Sequence, residues 1–93
     1  MLEYKMDEDK YFDLIKDYIN KTYTEHYSNS KYQTIDLIID SGHGQSFCMG
    51  NILKYATRFG KKQGKNRSDL LKIIHYAIIM LSLLDKEDSE KHH

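Results

Sequence analysis

Apolar and polar positions alternate along the chain with the period of a helix in four separate segments. Between Asp7 and Thr24, Tyr11, Phe12, Ile15, Tyr18 and Ile19 recur at three- and four-residue intervals, while Asp13, Lys16, Asp17 and Lys21 take the opposite side. Acidic residues in the opening turn complement the helix dipole there. The segment His26-Tyr27-Ser28-Asn29-Ser30-Lys31-Tyr32 has the composition of a loop. A short helix fits Thr34 to Asp40, with Thr34 as its cap and Ile35, Leu37, Ile38 and Ile39 as its apolar content. The same β-branched run could extend as a strand, but nothing else in the chain would pair with it, and an unpaired strand leaves its backbone groups unsatisfied.

Ser41-Gly42-His43-Gly44 reads as a turn, and Gln45 or Ser46 caps a third helix predicted to reach Lys61. Gly60, Gly64, Asn66 and their basic neighbours form the next loop. Ser68 opens a fourth helix with Asp69 in its first turn, running to about Asp85 before a polar tail. From Leu70 to Leu84 this helix is apolar in almost every direction, so it demands burial all round. Four helices of so short a chain cannot wrap it, which points to a homo-oligomer, a dimer or tetramer, formed through this C-terminal helix. The expected fold is therefore all-α, a compact bundle of about four helices.

Composition narrows the class. The 93 residues are 40% hydrophobic and 30% charged, with no Pro, no Trp and five Gly, which suits one helical domain and excludes a disordered or turn-dense β chain. A single Cys cannot form an internal disulfide, the first residues lack a basic patch followed by an apolar run, and the longest apolar stretch falls short of a membrane span. The expectation is a cytoplasmic protein that touches no membrane.

The charge balance is zero overall but uneven. Between Gln45 and Lys72 seven cations face Asp69 alone, a net +6, and the remainder carries −6. Asn51, Lys54, Tyr55, Arg58 and Lys61 share one side of the third helix, and Asp69, Lys72 and Tyr76 line one edge of the fourth, so the two stripes can face each other with Asp69 opposite Arg58 or a lysine. Guanidinium and ammonium groups beside an amide and aromatic rings suit a small anionic ring compound, and nucleotides are the obvious class. Gly50 costs about 1 kcal/mol in a helix interior, so a close backbone approach by a neighbour or a ligand is its expected reason. A solvated basic face is the bland alternative.

The segments Gly50-Asn51-Ile52-Leu53-Lys54-Tyr55-Ala56-Thr57-Arg58-Phe59-Gly60-Lys61-Lys62, Asp69-Leu70-Leu71-Lys72 and Tyr76, with His26-Tyr27 and Tyr32-Gln33-Thr34-Ile35-Asp36 upstream, resemble the SaV-like phage domain. On this reading residues 1–25 form an N-terminal helix outside the resemblance, 26–85 the helical domain, and 86–93 a polar tail. The resemblance implies a small tailed-phage protein, related to a coliphage nucleotide kinase that lacks a P-loop. By position it marks His26, Tyr27, Asn51, Lys54, Tyr55, Arg58, Lys61, Asp69, Lys72 and Tyr76 as ligand-binding residues.

Other chemistries find less support. Gly60-Lys61-Lys62-Gln63-Gly64-Lys65-Asn66 misses the spacing of a phosphate-binding loop and follows a helix where such a loop follows a strand. The five His show no zinc spacing, Cys48 reads as a packing residue, and no cofactor is implied. A compact basic patch in a neutral chain argues against a strong nucleic-acid binder. The favoured function is a phage-encoded protein that sequesters a nucleotide or cyclic dinucleotide immune signal without turning it over, evading host antiphage defence, with one ligand shared by two chains. The alternatives are a nucleoside monophosphate kinase without a P-loop and a protein–protein modulator of a host abortive-infection factor.

Overall fold

The computed structural model describes residues 2–26 and 30–91, with the side chains of residues 26, 30–32 and 91 left out. These residues form α1 (Glu8–His26), α2 (Ser30–Asp40), α3 (Gly44–Arg58) and α4 (Arg67–Lys91), and no strand. The all-helical expectation therefore holds, with shifts at the ends that have local causes.

Helix α1 starts once Asp7 has turned the chain at φ 56°, and Glu8 and Asp9 supply the acidic first turn. Its inner face is Ile15, Tyr18, Ile19 and Thr22, all half-buried. Tyr11 and Phe12, expected on that face, are instead exposed, and Phe12 meets the preceding segment through an edge-on contact with Tyr4 at 6.2 Å.

Thr34 does not cap α2, which already begins at Ser30 and takes in part of the segment read as loop. The polar residues there tolerate a helix once its apolar side has a surface to pack on. The helix ends in a Schellman motif: the His43 N–H donates to the Ile38 carbonyl at 3.1 Å and the Gly42 N–H to the Ile39 carbonyl at 3.0 Å, with Gly42 at φ 90°.

Neither Gln45 nor Ser46 caps α3. The N-cap is His43, without a side-chain cap; the Ser46 hydroxyl donates back to the His43 carbonyl, and the Gln45 amide reaches across to Glu87 Oε2 at 2.8 Å. Helix α3 stops at Arg58, three residues before the expected Lys61, because Gly60 takes φ 85° and its N–H closes a loop onto the Gly64 carbonyl at 2.9 Å. Helix α4 begins at Arg67, one residue before the expected Ser68, and Asn66 caps it: its Oδ1 accepts from the Ser68 N–H at 2.9 Å, satisfying an orphan donor of the first turn. At the other end α4 runs on through the expected tail to Lys91.

The α3–α4 pair is the centre of the fold, α1 lies against α4, and α2 bridges α3 and α1. Closest approach falls at Gly44, where a Cβ would stand 2.9 Å from Leu83 Cδ1 and 3.3 Å from Ile39 Cγ1; α2, α3 and α4 meet at this point. Gly50, expected to be the close approach, has nothing within 4 Å of where its Cβ would be.

Most of the apolar content is only part-buried. Among the described residues Cys48 and Asp69 are the fully buried side chains, each 1% exposed. Cys48 is the packing residue its sequence context implied. The surface measures 7628 Å², against about 5600 Å² expected for a folded chain of this mass. On α4, Leu70, Ile74, Ile78, Leu81 and Leu84 stay exposed, so the chain alone does not bury that helix all round.

Candidate ligand-binding site

Helix α3 sends its polar residues in different directions. Tyr55 turns inward against α4 and stacks on Tyr76, with ring centroids 6.4 Å apart and planes 14° from parallel. Phe47, two turns earlier, meets the same Tyr76 ring edge-on at 5.8 Å. Asn51, on this side too, donates from Nδ2 to the Phe47 carbonyl at 2.9 Å, so its amide is tied to its own helix.

Two lysines converge on Tyr55. The ammonium of Lys54, from α3, lies 4.6 Å from the Tyr55 ring centroid, and that of Lys72, from α4, lies 4.9 Å from it. Both are cation–π distances. Arg58, one turn after Lys54, points its Nε at Asp69 Oδ1 across 3.9 Å. Asp69 thus takes Arg58 as its partner, as the sequence spacing allowed, and does so from a fully buried position in the first turn of α4. Its Oδ2 and the Arg58 Nε have no hydrogen-bond partner among the described residues.

Two concavities are linked by the contact of Lys54 with Tyr55, the lysine lining the first and the tyrosine the second. The first is an open groove of about 550 Å³ along the end of α3, lined by Leu53, Lys54, Thr57, Arg58, Lys61 and Lys62. With four cations and no acid on its walls, it favours anionic groups. The second is a more enclosed cleft of about 420 Å³ between α1, α2 and α4. Tyr18, Tyr23, Tyr55, Tyr76 and His75 give it aromatic walls, and Asp36, Lys72 and Lys86 give it charge. His75 meets Tyr18 edge-on at 6.1 Å and lies against Tyr76 at 6.4 Å, which ties α1 to α4 across the cleft.

The sequence-predicted residues divide between these spaces. Lys54, Arg58 and Lys61 line the groove; Tyr55, Lys72 and Tyr76 line the cleft; Asn51 and Asp69 stand behind them as a tethered amide and a buried counter-charge. His26 ends α1, but its side chain and the whole of Tyr27 lie outside the described residues. Sequence reading missed Tyr18, Asp36 and His75. Tyr18 was assigned to a packing face, and no local spacing links α1 or α2 to the others.

The profile of a family described as proteins of unknown function, DUF3310, matches residues 19–78. The chain belongs to that family. The matched residues run from the last two turns of α1 into the first half of α4; they contain the whole groove and most of the cleft, but not its Tyr18, Ile79, Ser82, Leu83 and Lys86. No curated protein and no solved structure matches the chain. Among the described residues no helix is long and apolar enough to cross a membrane.

Proposed function

We propose that the protein binds a nucleotide, with the base in the tyrosine-lined cleft and the phosphate between Lys54 and Lys72. The observation that carries this reading is the placement of two ammonium groups over one tyrosine ring where an aromatic cleft opens beside a cationic groove. An ammonium gains about 0.5–1 kcal/mol from an exposed ring face, whereas a phosphate offers charge-assisted hydrogen bonds of about 1.5–3 kcal/mol. An incoming phosphate would therefore draw the lysines off the ring and leave its face for a base. The cleft volume is in the range of ordinary small-molecule sites.

The role that fits this chemistry is sequestration: a phage-encoded protein that captures a nucleotide or cyclic dinucleotide immune signal and releases it unchanged. The phage setting rests on the resemblance of residues 50–62 and 69–76 to the SaV-like domain. In support of capture without turnover, Asp69, the acid nearest the cations, is buried against Arg58. Asp36 favours the kinase reading, because it is a carboxylate in the same cleft as Lys72, and phosphoryl transfer needs an acid to hold magnesium.

A thermal-shift panel of mononucleotides, cyclic dinucleotides and cyclic ADP-ribose analogues tests binding, since a ligand at 100 times its Kd stabilises by about 2.7 kcal/mol. Recovery of the bound compound unchanged supports sequestration. Nucleoside diphosphate accumulating from ATP and a monophosphate with magnesium, and lost in Asp36→Asn, establishes the kinase instead. The absence of any shift across the panel refutes both.

A further inference from the structure

Four of the five exposed large apolar residues of α4 fall on one seam, and the fifth, Ile78, lines the cleft. Leu70, Ile74, Ala77, Leu81 and Leu84 follow one another at intervals of four, three, four and three residues. This is the spacing with which one helix presents a continuous stripe to another in a coiled coil. The four larger side chains are 44%, 43%, 63% and 41% exposed and Ala77 between them is half-buried, so the stripe faces outward on both sides of its midpoint. The same spacing carried one step outward in each direction reaches Arg67 and Asp88, both exposed. The seam is therefore apolar through its middle, cationic at one end and anionic at the other, and its midpoint falls beside Ala77, the small residue that lets two helices come close.

We propose that α4 pairs antiparallel with α4 of a second copy, around a two-fold axis beside Ala77. The charges choose both partner and direction. Antiparallel pairing sets Arg67 against the partner's Asp88, and the symmetry repeats that contact at the other end. Parallel pairing sets Arg67 against Arg67 and Asp88 against Asp88, which is repulsive twice. The wider surroundings agree: Lys61, Lys62 and Lys65 precede the cationic end, and around the anionic one Asp85, Glu87 and Glu90 outnumber Lys86 and Lys91.

The pairing goes beyond the nucleotide reading and constrains it. Seventeen residue steps of helix separate the two copies of Asp69 along the seam, about 25 Å at 1.5 Å per residue. The two grooves then sit at opposite ends of the dimer. Each chain has its own ligand, and no cyclic dinucleotide spans both sites.

Light scattering of the full chain at micromolar concentration, without nucleotide, tests the pairing. Twice the 11.0 kDa chain mass is the expected particle, and Leu81→Glu reduces it to a single chain with an unchanged far-ultraviolet circular dichroism spectrum. Arg67→Glu alone replaces two attractions by two repulsions and raises the dissociation constant about tenfold or more, and adding Asp88→Arg restores it. A single-chain particle for the unmodified protein overturns the proposal. So does a dimer that survives Leu81→Glu, or one indifferent to Arg67→Glu, as a parallel pair would be. The charge pair reads direction even where Leu81→Glu fails to fold.

Discussion

Arg58 Nε stands 3.9 Å from Asp69 Oδ1, and the two side chains differ sharply in exposure, 33% for the arginine and 1% for the aspartate. The carboxylate has left water altogether, so it depends on the guanidinium, while the guanidinium still reaches the groove. Arg58 thus holds the end of α3 to the start of α4 before it meets any ligand.

Arg58→Ala should therefore cost stability as well as affinity. Breaking a buried pair by removing one partner costs about 3–5 kcal/mol, and the partial exposure of Arg58 reduces this to about 1–3 kcal/mol. Asp69→Asn, which removes the charge but keeps the shape, should cost less than Arg58→Ala. Urea unfolding of both variants without ligand checks the order; an Arg58→Ala protein as stable as the unmodified chain would leave the pair without structural weight.

Lys54→Ala and Lys72→Ala should behave differently. Each removes an ammonium from an exposed or half-buried position over Tyr55, so unfolding without ligand should change by about 0.5–1 kcal/mol at most. Each should weaken nucleotide binding about tenfold, the loss of one charge-assisted phosphate contact. Isothermal titration of the two variants measures this, and the fitted stoichiometry on the unmodified protein should be one ligand per chain.

The two helical glycines should respond to alanine with opposite signs. Gly50 has open space around it, so Gly50→Ala should stabilise by about 1 kcal/mol through helix propensity. Gly44→Ala drives a methyl group to 2.9 Å from Leu83 Cδ1 and should destabilise by about 1 kcal/mol or more, since the neighbouring Ile39 leaves Leu83 little room to retreat. A pair of thermal melts decides both.

Burial pushes the Cys48 thiol above its ordinary value of 9.0, because the thiolate would lose its hydration inside α3. The folded state then holds the thiol proton more tightly than the unfolded chain. This contribution to stability is fully present below pH 9.0 and is lost as the pH rises through the folded value. Native protein at pH 8 should resist iodoacetamide, and addition of urea should release one reactive thiol per chain. Rapid labelling without urea would show that the site opens.

Much of the helical organisation was legible because helical periodicity is a property of one segment at a time. The charges that make Arg58 and Asp69 a pair were legible too, since they lie at facing ends of consecutive helices joined by one short loop. The start of α4 was legible to within one residue, but Asn66 and Ser68 are both good capping types, and only the turn set by Gly60 and Gly64 decides which faces the orphan amides. No neighbour within the chain explains Gly50, because sequence marks an unusual residue but not what stands beside it.

Residue spacing within a few turns was enough for four helices and a basic segment at the junction of the last two, but not for the lengths of α2 and α4. Tertiary structure alone decided that Tyr18, Asp36 and His75 join Tyr55, Lys72 and Tyr76 around one cleft, because those contacts link α1 and α2 to helices far along the chain. It also decided which side of α4 is left over. An almost uniformly apolar helix announces that it must be covered, but the direction that stays open, the seam from Leu70 to Leu84, depends on where α1 and α3 have already packed.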